Sequence, residues 1–459
     1  LPAATSAQPI AFFEGFTMNK TPHKQLTAAE ATATMRKVAV RLLPLLLLSY
    51  VANLIDRANV GFAKLTMQAD LGMSDPAFAF GTGMFYFGYL VFEVPSNLML
   101  RQIGARVWFA RIMITWGIVS GLTMFVTGTW SYTCVRVLLG VAEAGFFPGV
   151  IYYLTYWFPV RERTRAVATF MAANAIGGTL TNPLSGLIMQ TFDQAWGLHG
   201  WQWVFLIESI PSLILGVCVY FYLPDRPADA RWLDDHERNW LVQRIGQEEQ
   251  HREQRHGADL RQALISPRVW YLILLYFTIA FCSNAGSLYL PELIQKHFPA
   301  SSKFEIGLVA AIPGLCGMVS MLLNGWWSDR SRRYHLHVAL PALMGAGAWL
   351  LAALADSPTW AVVGLSLAFM GVMSMLPPFW SLPTSFLSGA AAAAGIALIS
   401  SVGNIGGLLG PGIVGLIYEA SQSHLYGLFA LAGILALGGV LGLFAPHDPS
   451  QTTDTAQKH

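Results

Sequence analysis

An all-α membrane protein with twelve transmembrane helices in two pseudo-symmetric six-helix bundles is the fold class that this sequence predicts, and three observations predict it. The 459 residues are 54% hydrophobic and only 12% charged, against roughly 25% charged in soluble domains. Apolar runs of 18 or more residues, each able to cross about 30 Å of hydrocarbon, recur along the whole chain. A charged central stretch divides these runs into two sets of six, and one short sequence occurs in both sets.

Residues 1–36 are polar and unpatterned and read as a disordered cytoplasmic N-terminus, with Met18, opening MNKTPHKQ, as a natural start. The first run, 37–63, carries Asp56 and Arg57 and lacks a cleavage site, so it reads as a span and not a signal peptide. The runs 77–100 and 107–126 follow, separated by Arg101 and Arg106. The fourth run, 130–157, carries Arg136 and Glu143, and the runs 164–190 and 202–223 complete an N-terminal bundle over 37–223. Residues 224–267 form a charged cytoplasmic linker, in which Trp232, Leu233, Trp240, Leu241 and Ile245 recur at helical spacing, as in an amphipathic helix lying on the membrane face. The runs 268–291, 304–328, 337–355, 359–383, 391–419 and 424–445 make a C-terminal bundle over 268–445, before a cytoplasmic tail, 446–459.

The placement of basic residues orients these spans. Arg101 and Arg106, Arg161, Arg163 and Arg165, Arg226 to Arg268, and Arg330, Arg332 and Arg333 fall in alternate loops, whereas the opposite loops hold little beyond Lys64, Lys296 and Lys303. The positive-inside rule then puts both termini in the cytoplasm. Cys134, Cys218, Cys282 and Cys316 lie inside apolar runs without metal-ligand spacing, which supports neither a disulfide framework nor a metal site. No His cluster, nucleophile triad or phosphate-cradling loop points to an enzyme. The linker arginines are interleaved with acids, which argues against nucleic acid.

A charge at the centre of a membrane helix costs roughly 2.5–3.5 kcal/mol, so such residues face a protein interior or a wet path. Adjacent Asp56 and Arg57 point about 100° apart on a helix and each needs a partner elsewhere. Arg136 and Glu143 are seven residues apart and share one helix face. The internal repeat is Asn174 to Ile188 (NAIGGTLTNPLSGLI) and Asn404 to Ile417 (NIGGLLGPGIVGLI), in the fifth and eleventh runs. A duplication of this kind marks transporters whose site lies between the halves.

The motifs NLIDRANVGFA, FEVPSNLMLRQIGAR, RVLLGVAEAGFFPGVIYYLTYWFP, PPFWSLPTSFLSG and GNIGGLLGP occur in this order. Over about Val38 to Phe444 the chain resembles the major facilitator superfamily, and within it the anion:cation symporter family of tartrate and phthalate type permeases. The resemblance implies proton-coupled symport of a small organic carboxylate such as phthalate, tartrate or a related aromatic or hydroxy acid, by a monomer in a bacterial inner membrane, with no cofactor. Sodium stays open as the coupling ion. A facilitative uniporter and a non-transporting carboxylate sensor are the alternatives.

A guanidinium binds a carboxylate through paired hydrogen bonds, which makes Arg57 the first candidate for substrate and Arg136 the second. Arg136 could equally be a permanent salt-bridge partner of Asp56. Desolvation favours the neutral acid at Asp56 and Glu143 while a nearby Arg favours the carboxylate, and the resemblance assigns these two acids proton coupling. Tyr89 and Asn404 match family positions that face the cavity. Asn284, Tyr289 and Trp380 suit a pocket for a small carboxylate, although Tyr and Trp also form interfacial belts and Asn bridges helices. The superfamily's loop latch is matched at Gly325, Ser328, Asp329, Arg330 and Arg333, which implies gating by Asp329 and Arg330; Arg332 replaces its second Gly. In the first half Arg101 and Gln102 stand where the latch has its acid and base.

Overall fold

In the computed structural model, which describes residues 26–254, 266–386 and 389–445, the long elements are all helices, and no strand occurs among the described residues. Met18 and the tail 446–459 lie outside the described residues. Eleven stretches among the described residues are long and apolar enough to cross a membrane. Helix α1 spans Ala28–Asp70 and is opened by a capping box in which Thr27 and Glu30 satisfy each other's backbone N–H groups. It therefore begins inside the segment expected to be disordered and runs past the expected end at residue 63. Its 43 residues amount to about 65 Å, far more than a bilayer needs, because its last two turns pack on protein.

Helices α2 (Asp75–Ile103), α3 (Ala105–Leu122) and α8 (Gly200–Tyr222) are unbroken. Two expected spans are broken instead: α4 (Thr129–Glu143) and α5 (Phe146–Trp157) meet at Gly145, and α6 (Val160–Met171) and α7 (Ala173–Phe192) meet at Ala172. Gly145 has φ +86°, and a Cβ there would lie 2.4 Å from Ser96 Oγ, so the break immediately after Glu143 depends on glycine. After α9 (Asp235–Gln254) come α10 (Pro267–His297), α11 (Lys303–Ser331) and α12 (Tyr334–Ala353). Two more broken spans follow, α13 (Pro358–Ser374) with α14 (Leu376–Phe386), and α15 (Gly389–Gly403) with α16 (Ile405–Ser421), before α17 (His424–Leu443). The two copies of the repeated sequence begin beside breaks, Asn174 next to Ala172 and Asn404 at the α15–α16 junction. Helix breaks of this kind release backbone groups where a site is built.

Within the first half α3 packs on α8, α2 on α4, and α1 on α7 and α8; in the second α12 packs on α13 and α17, and α11 on α13. The halves meet along α7–α11, α2–α16 and α1–α10. Small residues set these crossings, as expected where lipid supplies no hydrophobic drive. A Cβ on Gly140 would stand 2.0 Å from the Phe85 carbonyl oxygen, so α2 and α4 touch backbone to backbone. Gly140→Val is expected to force them apart at a cost of about 3 kcal/mol, read as a fall in the melting temperature of the detergent-purified protein.

The α1–α2 turn marks one end of the molecule, the distal end; the α2–α3 turn at Gly104 and α9 lie at the other, proximal end. Helix α9 and the loop before it bury Leu233 and Leu241 against the proximal end, and Trp232 stacks on Trp157 at 5.8 Å. An ion pair of 2.6 Å between Lys37 and Glu237 ties α9 to α1.

Candidate functional site

The intramembrane charges come together on α1 and α4, in pairs that the sequence alone did not identify. Arg57 Nε donates to Glu143 Oε1 at 2.9 Å. The Asn53 amide, one turn before Arg57, donates to the same oxygen. The Arg57 guanidinium lies 5.1 Å over the Phe85 ring and 5.0 Å over Tyr89, and its side chain keeps 26% exposure. Aromatic faces in a low-dielectric site attract such a cation without neutralising it.

Arg136 stands on the same helix as Glu143, with its guanidinium 5.2 Å from the Phe85 ring on which Arg57 also rests. It is 3% exposed, and its Nε and Nη1 are buried without a hydrogen-bond partner. The permanent Asp56–Arg136 salt bridge considered from sequence is absent. Asp56 turns to α3 and α8, where it accepts hydrogen bonds from Trp116 Nε1 at 3.0 Å, Ser120 Oγ at 2.8 Å and Ser212 Oγ at 2.7 Å. The roughly 100° between consecutive helical side chains is the reason: with Arg57 facing the interior, Asp56 must face the neighbouring helices.

Across the interface, Asn284 of α10 accepts a hydrogen bond from the Tyr86 hydroxyl of α2 and donates to the Ala280 carbonyl at 2.8 Å. Trp380 packs 5.0 Å from Tyr276, and Asn404 forms the α15–α16 junction. Glu93, one turn beyond Tyr89 toward the proximal end, accepts from Ser401 Oγ of the other half at 2.7 Å. Tyr289 is not beside Arg57. It lies under Lys64, whose ammonium is 4.2 Å over its ring, two turns or about 10 Å farther along α1.

Lys64 is itself a correction. Expected in a loop, it lies within α1, is 3% exposed and bridges the halves at the distal end. Its ammonium pairs with Asp75 Oδ1 of α2 at 2.7 Å and with Glu292 of α10. His424 Nε2 lies 3.4 Å from the other Glu292 oxygen. At the proximal end Asp329 and Arg330 are exposed and form no ion pair among the described residues. Sequence reasoning also missed Asn53, Tyr86, Glu93 and Glu208; for the acids the signal was present, a single Glu in each of two apolar runs. Among the described residues no three His, Cys, Asp or Glu side chains gather as a metal site.

Broken membrane helices around paired intramembrane charges, clasped at one end between two halves, define a solute transporter. The chain belongs to the Major Facilitator Superfamily, whose sequence profile matches residues 46–411. It is 44% identical, over 93% of its length and 94% of the relative's, to a protein of Agrobacterium vitis named "Putative tartrate transporter". It is 34% identical to the "Inner membrane transport protein RhmT" of Escherichia coli K12, over 91% and 96% of the two chains. The inward-open structure of the E. coli xylose transporter XylE superposes with a TM-score of 0.74 at 14% identity, covering 91% of this chain and 99% of that one, a likeness of fold alone. The protein is therefore a membrane-embedded transporter of a small organic solute, not an enzyme.

Proposed function

We propose that the protein takes up a small organic carboxylate together with protons, by alternating access of two six-span halves, 37–223 and 268–445. The observation that carries this reading is the Arg57–Glu143 ion pair beside Arg136, whose buried donors have no partner. With Glu143 ionised, the three groups leave one net positive charge, which suits a carboxylate. A proton on Glu143 frees Arg57 Nε and doubles that charge, so proton and anion binding favour each other. The membrane potential adds a reason for coupling: inward movement of one negative charge costs about 2.3 kcal/mol per 100 mV, which one co-transported proton cancels.

Tyr89, Asn284, Trp380 and Asn404 complete the proposed pocket, while Tyr289 belongs with the distal clasp. The name of the Agrobacterium relative supports tartrate as the first probe. The basic loops support an inner-membrane protein with both termini cytoplasmic, which makes the distal end periplasmic. The closed Lys64 clasp and the unpaired Asp329 and Arg330 support a state closed toward the periplasm.

The test is uptake of labelled tartrate into proteoliposomes. An inside-alkaline gradient of one pH unit is expected to raise accumulation about tenfold per coupled proton, since one unit is worth about 1.4 kcal/mol. Glu143→Gln is expected to keep counterflow and lose the response to the gradient. Net uptake by the wild type that ignores the gradient would make the protein a uniporter.

A further inference from the structure

We infer that Glu208 is a proton-relay residue, passing protons between the distal surface and Asp56 through a polar column enclosed by α1, α7 and α8, apart from the route taken by substrate. The inference rests on the proton-coupled reading above and adds a path to it.

The column is written in two facing stripes. On α1, Asp56, Asn59, Ala63, Thr66 and Asp70 follow one another at intervals of three and four residues, so they share one face. On α8, Trp201, Phe205, Glu208 and Ser212 do the same. The helices pack antiparallel, and hydrogen bonds close both ends of the match: Ser212 Oγ to Asp56 at 2.7 Å, and Trp201 Nε1 to Asp70 at 2.9 Å. Asp70 is partly exposed, with His199 Nδ1 3.2 Å away, so the stripe reaches the distal surface there, with Ala63 and Phe205 buried between it and Glu208. Glu208 sits between, 2% exposed, with one oxygen accepting from Ser185 Oγ of α7 at 2.7 Å.

Asn59 is completely buried, turns its amide N–H toward Glu208, and has its amide oxygen unpartnered. Thr66 Oγ1, on the same face of α1, is likewise buried and unpartnered. A native interior seldom tolerates a run of orphaned polar atoms, and water in a polar channel is the usual remedy. Asp56 is the acidic neighbour of Glu208, and no cation contacts Glu208 among the described residues. An acid enclosed in this way carries a proton at far lower cost than a charge. At the inner end, Asn53, one turn from Asp56 on α1, has an unpartnered oxygen and donates its amide to Glu143. The column thus ends at the Arg57–Glu143 pair. In each transfer Glu208 gives its proton through water to an Asp56 oxygen and is reprotonated from the distal side.

Infrared difference spectroscopy of the purified protein tests this without any substrate, so it stands apart from the tartrate assay. The bands of the protonated carboxyls are assigned with Glu208→Gln and Asp56→Asn, and their exchange in D2O is timed. The Glu208 band is expected to exchange at the same rate in Asp56→Asn as in wild type. Loss of the relay acid in Glu208→Gln is expected to slow exchange of the Asp56 band at least about tenfold, and Glu208→Asp to restore it. An Asp56 band that exchanges as fast in Glu208→Gln, a Glu208 band that never exchanges, or one absent from the wild type would overturn the relay while leaving Glu143 coupling intact.

Discussion

Arg57→Lys is expected to lower tartrate uptake by about two orders of magnitude, although the charge is kept. A hydrogen bond to a charged group is worth about 1.5–3 kcal/mol, and an ammonium cannot replace a planar fork that serves Glu143 and a substrate carboxylate together. Lysine would also give up the cation–π geometry over Phe85 and Tyr89. Arg136→Gln should be as damaging by a different route. It leaves the Arg57–Glu143 bond untouched but removes the net positive charge of the cluster, so the loss should appear as weakened binding and not as altered coupling. Equilibrium binding of labelled tartrate separates the two variants. In Arg136→Gln binding should be nearly lost at neutral pH and return as pH falls, because protonation of Glu143 restores a free guanidinium; in Arg57→Lys the cluster keeps its net positive charge at neutral pH and the pH response should be shallower. Wild-type binding in Arg136→Gln would return that residue to a structural role.

The division of labour at this site was only partly readable in the sequence. The spans, the central linker and the repeat follow from composition and period, and the angle between consecutive helical side chains already required Asp56 and Arg57 to find separate partners. What partners they find is decided by how α1 packs on α3, α4 and α8. No periodicity within α1 records that Trp116, Ser120 and Ser212 enclose Asp56 while Glu143 meets Arg57. The same limit explains Tyr289 and Lys64. Hydropathy ended the first span before Lys64, because hydropathy registers the lipid-facing length of a helix and α1 continues as protein-packed helix to Asp70. The helix breaks were partly legible, since Gly and Pro pairs around Pro148 and around Pro377 and Pro378 stand within three residues of the breaks at Gly145 and Met375, whereas Pro313 and Pro411 lie inside unbroken helices and no proline marks Ala172.

Lys64→Met should open the distal end. Methionine has nearly the volume of lysine and no charge, so Asp75 and Glu292, each bonded to the same ammonium, would be left as two carboxylates across the interface between the halves. The lost attraction and the new repulsion act only in the clasped conformation, since in the open one both acids are free to hydrate. A differential cost of about 3–5 kcal/mol shifts the equilibrium toward the open state by about two to four orders of magnitude. Glu292→Gln should act in the same direction but more weakly, because Glu292 is 26% exposed and Lys64 would retain Asp75 at 2.7 Å. Spin labels at Ala69 and Ala420, both exposed near the distal end, report the change as a distance. The wild type is expected to give a short population, Lys64→Met a long one and Glu292→Gln a mixture. Because an open distal end must close again before solute is released inside, Lys64→Met should bind tartrate from outside yet transport it poorly, whereas Arg57→Lys loses the substrate contact itself. An unchanged distance distribution in Lys64→Met would show that small-residue contacts such as Gly83 with Leu408, and not this cation, hold the halves together.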